Sequence, residues 1–275
     1  MQSLVGQLDE RISLLPLRAV ILIYTAVLLV IAVLAIWKKW LTGGGVLGAV
    51  ILGFMVLYLG GFSAFTLFLF FFVSCSILSK IKRFYNSREK KGSQRDLMQV
   101  IANGLPAVVA LLLTRTASFR TVAIIGFSAA VAEAVADTFS STFGIMSRKD
   151  PVSIITFTRV PKGISGGVTT LGLLSGAGGA VITALLHCLV ISPDWHHALI
   201  ISGTGFIASV IDSVLGATVQ EHFRTLDGTL TEHEYDGDVK NVRVRGLPGF
   251  DNDMVNLTSG FLALSGSLLI ASLTL

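Results

Sequence analysis

Leu15-Pro-Leu-Arg-Ala-Val-Ile-Leu-Ile-Tyr-Thr-Ala-Val-Leu-Leu-Val-Ile-Ala-Val-Leu-Ala-Ile-Trp37 carries one charge, Arg18, in its whole length. Wound as an α-helix at about 1.5 Å per residue, it is long enough to cross the roughly 30 Å hydrocarbon core of a bilayer. A polar segment with Asp9, Glu10 and Arg11 precedes it. No small-residue cleavage site follows it, so the run is expected to persist as an anchor.

The rest of the chain repeats this pattern. Of 275 residues, 52% are hydrophobic and only 14% charged, and the mean hydropathy is +0.76. An ordinary soluble domain is about a quarter charged, so a water-soluble globule is excluded. Apolar runs place helices near residues 15–37, 43–60, 62–79, 98–114, 119–143, 166–192, 197–216 and 256–274. The expected fold is therefore all-α, a polytopic transmembrane bundle of about eight helices forming a single integral membrane domain over 1–275. The run from 43 to 79 is too long for one crossing, so Gly60-Gly61 is read as a turn between two spans, with a kink in one long helix as the alternative.

Basic residues fix the expected orientation. On the eight-span reading, one side receives Lys38 and Lys39, seven residues between Lys80 and Arg95, four between Arg148 and Lys162, and four between Arg224 and Arg245. The other side receives Arg11, Arg18, Arg115 and Arg120. Seventeen against four predicts that the first side is cytoplasmic, with both termini outside. Trp37, Trp40 and Trp195 fall at the ends of spans, where interfacial tryptophans belong. The net charge of +4 needs no nucleic-acid partner, because basic residues in a membrane chain chiefly report orientation. Cys75 and Cys188 both lie in apolar runs and form neither a disulfide framework nor a paired-thiol metal motif.

Ionisable residues inside spans are expensive and so are candidate sites. Glu133, Asp137, Ser141 and Gly144 share one helical face, which Gly126 extends in the other direction; Gly205, Ser209, Asp212 and Gly216 repeat the design. Glycine in such stripes serves close helix packing equally well. Packing does not require carboxylates, so Asp137 and Asp212 point to function, while Glu133, a turn deeper, is either functional or a helix-pairing residue.

Between the fifth and sixth spans, Arg159 and Lys162 are followed by Gly163, Ser165, Gly166 and Gly167. At a helix start this forms an anion cradle suited to phosphate, or else simply a turn with an N-cap. It is neither a Walker A loop nor a dinucleotide fingerprint. Asn103, Asp137, Asp212 and Asn256 all fall near the cytoplasmic ends of their spans, so five segments converge on one membrane face. Carboxylates for Mg²⁺, cations and backbone N–H groups for phosphate, and amides that orient polar groups are the parts of a phosphoryl-transfer site. The basic cytoplasmic loop 80–97 is read as topological, with anionic headgroup binding as the alternative. The polar cytoplasmic segment 221–253 is read as a small hairpin over the site or as a solvated loop, with Asp251 and Asp253 near the last span. His196 and His197 lie on the opposite side and receive no ligand role.

The order of motifs resembles a known family. Gln99-Val-Ile-Ala-Asn-Gly104, Ala136-Asp-Thr-Phe-Ser-Ser-Thr-Phe-Gly144, Gly163-Ile-Ser-Gly-Gly-Val-Thr169, Asp212-Ser-Val-Leu-Gly-Ala-Thr-Val-Gln220 and Val255-Asn256 are similar to the integral membrane family typified by phytyl-phosphate kinase, over roughly 60–265. More distantly, the second and third motifs resemble the nucleotide-binding region of dolichol kinases and phosphatidate cytidylyltransferases. The resemblance implies a CTP-dependent kinase that converts a membrane-borne isoprenoid monophosphate to its diphosphate. Asp137 and Asp212, with Glu133, would hold Mg²⁺. Lys162, Arg159 and the Gly163–Gly167 backbone would bind phosphate, and Asn103, Ser141 and Asn256 would orient nucleotide or acceptor. Where the family usually has Glu before the hydrophobic-Gly pair closing the second motif, this chain has Thr142. Cytidylyl transfer to a lipid phosphate uses the same parts; a cation- or proton-coupled transporter, which would depend on Glu133, is the reading from another class.

Overall fold

The computed structural model describes residues 3–85 and 94–275, the side chains of 82–85 excepted. Its α-helices are α1 (Leu4–Ser13), α2 (Leu17–Trp37), α3 (Gly43–Tyr85), α4 (Leu97–Leu113), α5 (Arg120–Met146), α6 (Thr170–Val190), α7 (Trp195–Thr218) and α8 (Asn252–Thr274). Among the described residues six helices, all but α1 and α4, are long and apolar enough to cross a bilayer. Helix α4 is apolar but has only 17 residues.

Helix α3 accounts for two of the expected spans. Gly61 sits at φ 68°, where a side chain is strained and glycine is not, and the helix breaks there. The two arms fold back on each other: Gly53 lies against Phe65, and Trp40, just before the first arm, packs edge-on against Phe72 of the second at 5.7 Å. The apex is held by α1. Asp9 accepts hydrogen bonds from the Phe62 and Ser63 N–H groups at 2.6 and 3.0 Å and from Ser63 Oγ at 2.6 Å, which caps the second arm at its N-terminus.

Helix α5 is the hub. Every residue from Ile125 to Ala136 is buried, because Ala, Gly and Ser around its circumference let neighbours approach on all sides. On α6, Gly172 faces Ser140 and Gly144, Gly176 faces Ala136, and Gly179 faces Phe139 and Val135. On α7, Gly205 lies against Ala132 and the Glu133 backbone. The glycine stripes thus serve close packing. At one end of the bundle Ser128 Oγ meets His187 Nδ1 at 2.8 Å, and His187 Nε2 lies 3.4 Å from His197 Nδ1. This buried chain ties α5, α6 and α7 together and gives His197 a structural role.

The opposite end holds the short strands. β1 (Val152–Ser153) pairs antiparallel with β2 (Gly167–Val168). In the segment between α7 and α8, β3 (His222–Arg224) lies between β4 (Leu230–Thr231) and β7 (Val242–Arg245), while β5 (Tyr235–Asp236) pairs with β6 (Val239–Lys240). This segment, read from the sequence as a small hairpin or a solvated loop, forms a three-stranded sheet and a separate two-stranded pair that together cap this end of the bundle. Of the basic segment 80–97, residues 86–93 lie outside the described residues.

A candidate phosphate-handling cleft at one end of the bundle

A cleft of about 380 Å³ opens at the strand-bearing end. Its walls come from the start of α4, the end of α5, the Gly-rich turn before α6, the end of α7, the cap and the start of α8. Asn103, Asp137, Ser141, Lys162, Gly163, Ser165, Gly166, Gly167, Asp212 and Asn256 all line it. Two sequence candidates do not. Arg159 is exposed and pairs through its backbone with Val152. Glu133 is buried below the floor, 3% exposed.

The Gly-rich run departs from expectation in one respect. Helix α6 begins at Thr170, not near 166, because Gly167 and Val168 are drawn into β2 against β1. Thr169 is the N-cap, its side chain accepting from the Gly172 N–H at 3.0 Å. The cradle is therefore a turn ahead of the helix. Its shape needs glycine at position 166, where φ is +82° and a Cβ would lie 2.6 Å from Ala217 Cα. Gly216 gives reciprocal room, since a Cβ there would meet Ser165 Cβ at 2.9 Å. The turn is thus wedged onto the end of α7, four residues past Asp212.

An anionic oxygen already sits on that turn. The Ser165 N–H donates to Glu232 Oε1 at 2.7 Å, across 67 positions of sequence and from the cap. Behind Glu232, His222 Nε2 lies 3.9 Å away. The His222 Nδ1–H donates to the Gln220 carbonyl at 3.0 Å, and Arg245 Nη2 reaches Nε2 at 3.0 Å. Burial pushes the His222 imidazole below its ordinary value; the Gln220 carbonyl pulls it up and the Arg245 charge pushes it down again.

On the opposite wall Asp212 Oδ2 and Glu133 Oε1 share one hydroxyl, Ser259 Oγ of α8, at 3.0 and 2.7 Å. That hydroxyl has a single proton, so one of the two carboxyl oxygens faces a lone pair. A proton on one of the two carboxyl groups, donated to that lone pair, relieves this. Asp137 is within electrostatic reach of both carboxyl groups. Lys162 Nζ donates to the Ser147 carbonyl at 2.5 Å, and Asn103 Nδ2 to the Gln99 carbonyl at 2.9 Å. Asp251 caps α8 by accepting from the Met254 N–H at 3.0 Å. Thr142, which stands where the resembled family usually has Glu, is fully buried with no hydrogen-bond partner for its Oγ1 among the described residues.

Among the described residues no group of three or more His, Cys, Asp or Glu side chains is arranged to hold a metal on its own. Mg²⁺ is ordinarily held by one or two carboxylates with phosphate and water completing the octahedron. Asp137 and Asp212 on one cleft fit a cation that arrives with a polyphosphate, not a preformed protein cage. Sequence reasoning missed Glu232 and Ser259, whose roles arise only from long-range contacts.

A profile of the family described as "Integral membrane protein DUF92" matches residues 26–264. An uncharacterised membrane protein of Methanocaldococcus jannaschii is 35% identical over 197 residues, 69% of this chain and 80% of the relative. Protein PGR of Arabidopsis thaliana is 33% identical over 201 residues, 62% of this chain and 70% of the relative. The chloroplastic protein VTE6 of Arabidopsis thaliana is 26% identical over 191 residues, 66% of this chain and 57% of the relative. No solved structure gives a significant match.

Proposed function

This chain belongs to the integral membrane protein family DUF92, and on that premise we propose that its cleft transfers the γ-phosphoryl group of CTP to a membrane-borne isoprenoid monophosphate. The observation that carries the reading is the Glu232 carboxylate on the Ser165 N–H, an anionic oxygen held where the motif order implies phosphate. The nucleotide's phosphate oxygens take that place as Glu232 withdraws. Lys162, exposed and donating to the Ser147 carbonyl, swings onto the transferred group and offsets the charge that grows there. Asp137 and Asp212 would hold Mg²⁺, which would offset the negative charge of the nucleotide phosphates. Asn103 and Asn256 orient the two substrates.

The acceptor is a phosphate monoester. One of its oxygens forms a new bond to the γ-phosphorus as the bond to the β–γ bridging oxygen breaks, and CDP leaves with that electron pair. Because a phosphate monoester is anionic at neutral pH, the step needs no strong general base.

The test is Mg²⁺-dependent transfer of labelled γ-phosphate from CTP to geranylgeranyl or phytyl monophosphate by the purified protein in detergent. Prenyl diphosphate is expected from the wild type, with Asp137→Asn and Asp212→Asn each reduced at least a hundredfold. Release of pyrophosphate with a CMP-linked lipid would replace the kinase by a cytidylyltransferase. No product with any nucleotide would end the phosphotransfer reading.

A further inference from the structure

Three helices meet beneath the cleft at one hydroxyl. Ser259 Oγ of α8 lies 2.7 Å from Glu133 Oε1 of α5, 3.0 Å from Asp212 Oδ2 of α7 and 3.0 Å from the Asn256 carbonyl of its own helix. A helical serine or threonine ordinarily satisfies itself on a carbonyl three or four residues back. Thr258 and Ser267 of α8 do so, on the Met254 and Leu264 carbonyls at 2.7 and 2.8 Å. Ser259 is drawn to two carboxyl groups as well.

Glycines bring these helices close enough for the meeting. A Cβ at Gly260, next to Ser259, would lie 2.8 Å from Pro106 Cγ and 3.8 Å from Glu133 Oε2. On α7, about two turns before Asp212, a Cβ at Gly205 would lie 3.1 Å from the Glu133 backbone nitrogen. The two carboxyl groups are not equivalent, however. Asp212 lines the cleft, whereas Glu133 does not and is joined to Asp212 through the Ser259 hydroxyl. Groups that hydrogen-bond a metal's ligand fix that ligand's orientation, and their loss commonly weakens metal affinity by about 10–100-fold.

We propose that Ser259 and Glu133 are positioning residues for Asp212. The hydroxyl tethers one carboxylate oxygen of Asp212, and Glu133 holds the hydroxyl from below without itself touching the cation. This moves Glu133 from the ligand role that the motif order implies to a supporting one. The inference rests on reading Asp212 as a cation-holding residue of the cleft, and metal binding tests it separately from transfer.

The experiment follows Mn²⁺, a paramagnetic stand-in for Mg²⁺, by electron paramagnetic resonance on the purified full-length protein in detergent with CTP present. Transfer to geranylgeranyl monophosphate is assayed on the same samples. Ser259→Ala is expected to raise the Kd for Mn²⁺ about tenfold or more, and Ser259→Thr, which keeps the hydroxyl, to stay within about threefold of the wild type. Ser267→Ala deletes an equally buried hydroxyl of α8, one that bonds the Leu264 carbonyl, and is expected to leave the Kd unchanged. Glu133→Gln stays within about threefold, because an amide can donate to Ser259 or accept from it, while Glu133→Leu follows Ser259→Ala. Should Ser259→Thr or Glu133→Leu not elute as a single species, the other three variants decide. Ser259→Ala at wild-type affinity, Ser267→Ala losing as much as Ser259→Ala, or Glu133→Gln losing as much as Asp212→Asn would each overturn the proposal, the last by making Glu133 a ligand. Prenyl diphosphate formed by a wild type that binds no Mn²⁺ would overturn it and leave transfer standing. Ser259-dependent Mn²⁺ binding without transfer from any nucleotide would instead fail the phosphotransfer reading and leave the positioning role.

Discussion

At the scale of single residues, the cleft is defined by pairs that the sequence holds far apart. Ser165 and Glu232 are 67 positions apart, and Ser259 and Glu133 are 126. A carboxylate on a backbone N–H makes a charge-assisted hydrogen bond, roughly twice as strong as a neutral one, so Glu232 competes with any phosphate for the turn. Glu232→Gln keeps the shape and removes the charge. It should therefore lower the Kd for CTP with Mg²⁺ about three- to tenfold, read by isothermal titration in detergent; a higher Kd would mean that Glu232 assists the nucleotide. Asp137, Asp212, Asn103 and Asn256 were legible in the sequence because polar groups near hydrocarbon are expensive and stand out. Glu232 was not, since one carboxylate among several in a polar segment carries no mark of the turn it will meet. Arg159 shows the converse. Its place beside the glycines suggested a phosphate ligand, yet its backbone pairs with Val152 and its side chain is exposed and does not line the cleft.

Elements were legible wherever an apolar run had to fill a bilayer, and less so where short polar pieces decide the ends. Gly60-Gly61 marked the hairpin of α3, but nothing in its vicinity announced that Asp9 would cap it from α1. An N-cap of this kind is worth about 0.5–2 kcal/mol, and Asp9 accepts three hydrogen bonds. Asp9→Ala should thus destabilise the protein by about 2 kcal/mol, seen as a lower midpoint in a thermal unfolding scan in detergent, while leaving CTP affinity at the far end unchanged. The start of α6 was misplaced because the helix pattern does not reveal that Gly167 and Val168 prefer a strand partner. The cap between α7 and α8 has its own pH response. His222 is buried with its pKa below the ordinary imidazole value, so below about pH 6.5 the unfolded segment binds more protons than the folded one. Its contribution to stability is complete above that pH and falls as acid is added. The protection of amides in His222–Arg245, corrected for the intrinsic pH dependence of exchange, should fall from pH 7 to 5.5, and His222→Gln should flatten that dependence.

For the molecule as a whole, one asymmetry organises everything else. The helices place Asn103, Asp137, Lys162, Asp212 and Asn256 at the same end as the cap, while the Asp9-capped turn and the His187–His197 pair lie at the other. The eight-span reading of the sequence assigns seventeen basic residues to the cleft's side and four to the other, and from the positive-inside tendency we propose that the cleft faces the cytosol. Nucleoside triphosphates are cytosolic, so the direction of insertion and the proposed chemistry stand or fall together. Leu226, 85% exposed in the cap, and Trp195, 63% exposed at the other end, report on the two sides. In a Cys188→Ser background, where the remaining Cys75 is fully buried, Leu226→Cys should react with a membrane-impermeant maleimide in inside-out vesicles only. Trp195→Cys should react in right-side-out vesicles only. The reverse pattern would put the cleft on the side without nucleotide. It would exclude CTP as the phosphoryl donor however well the residues around Ser165 suit a phosphate.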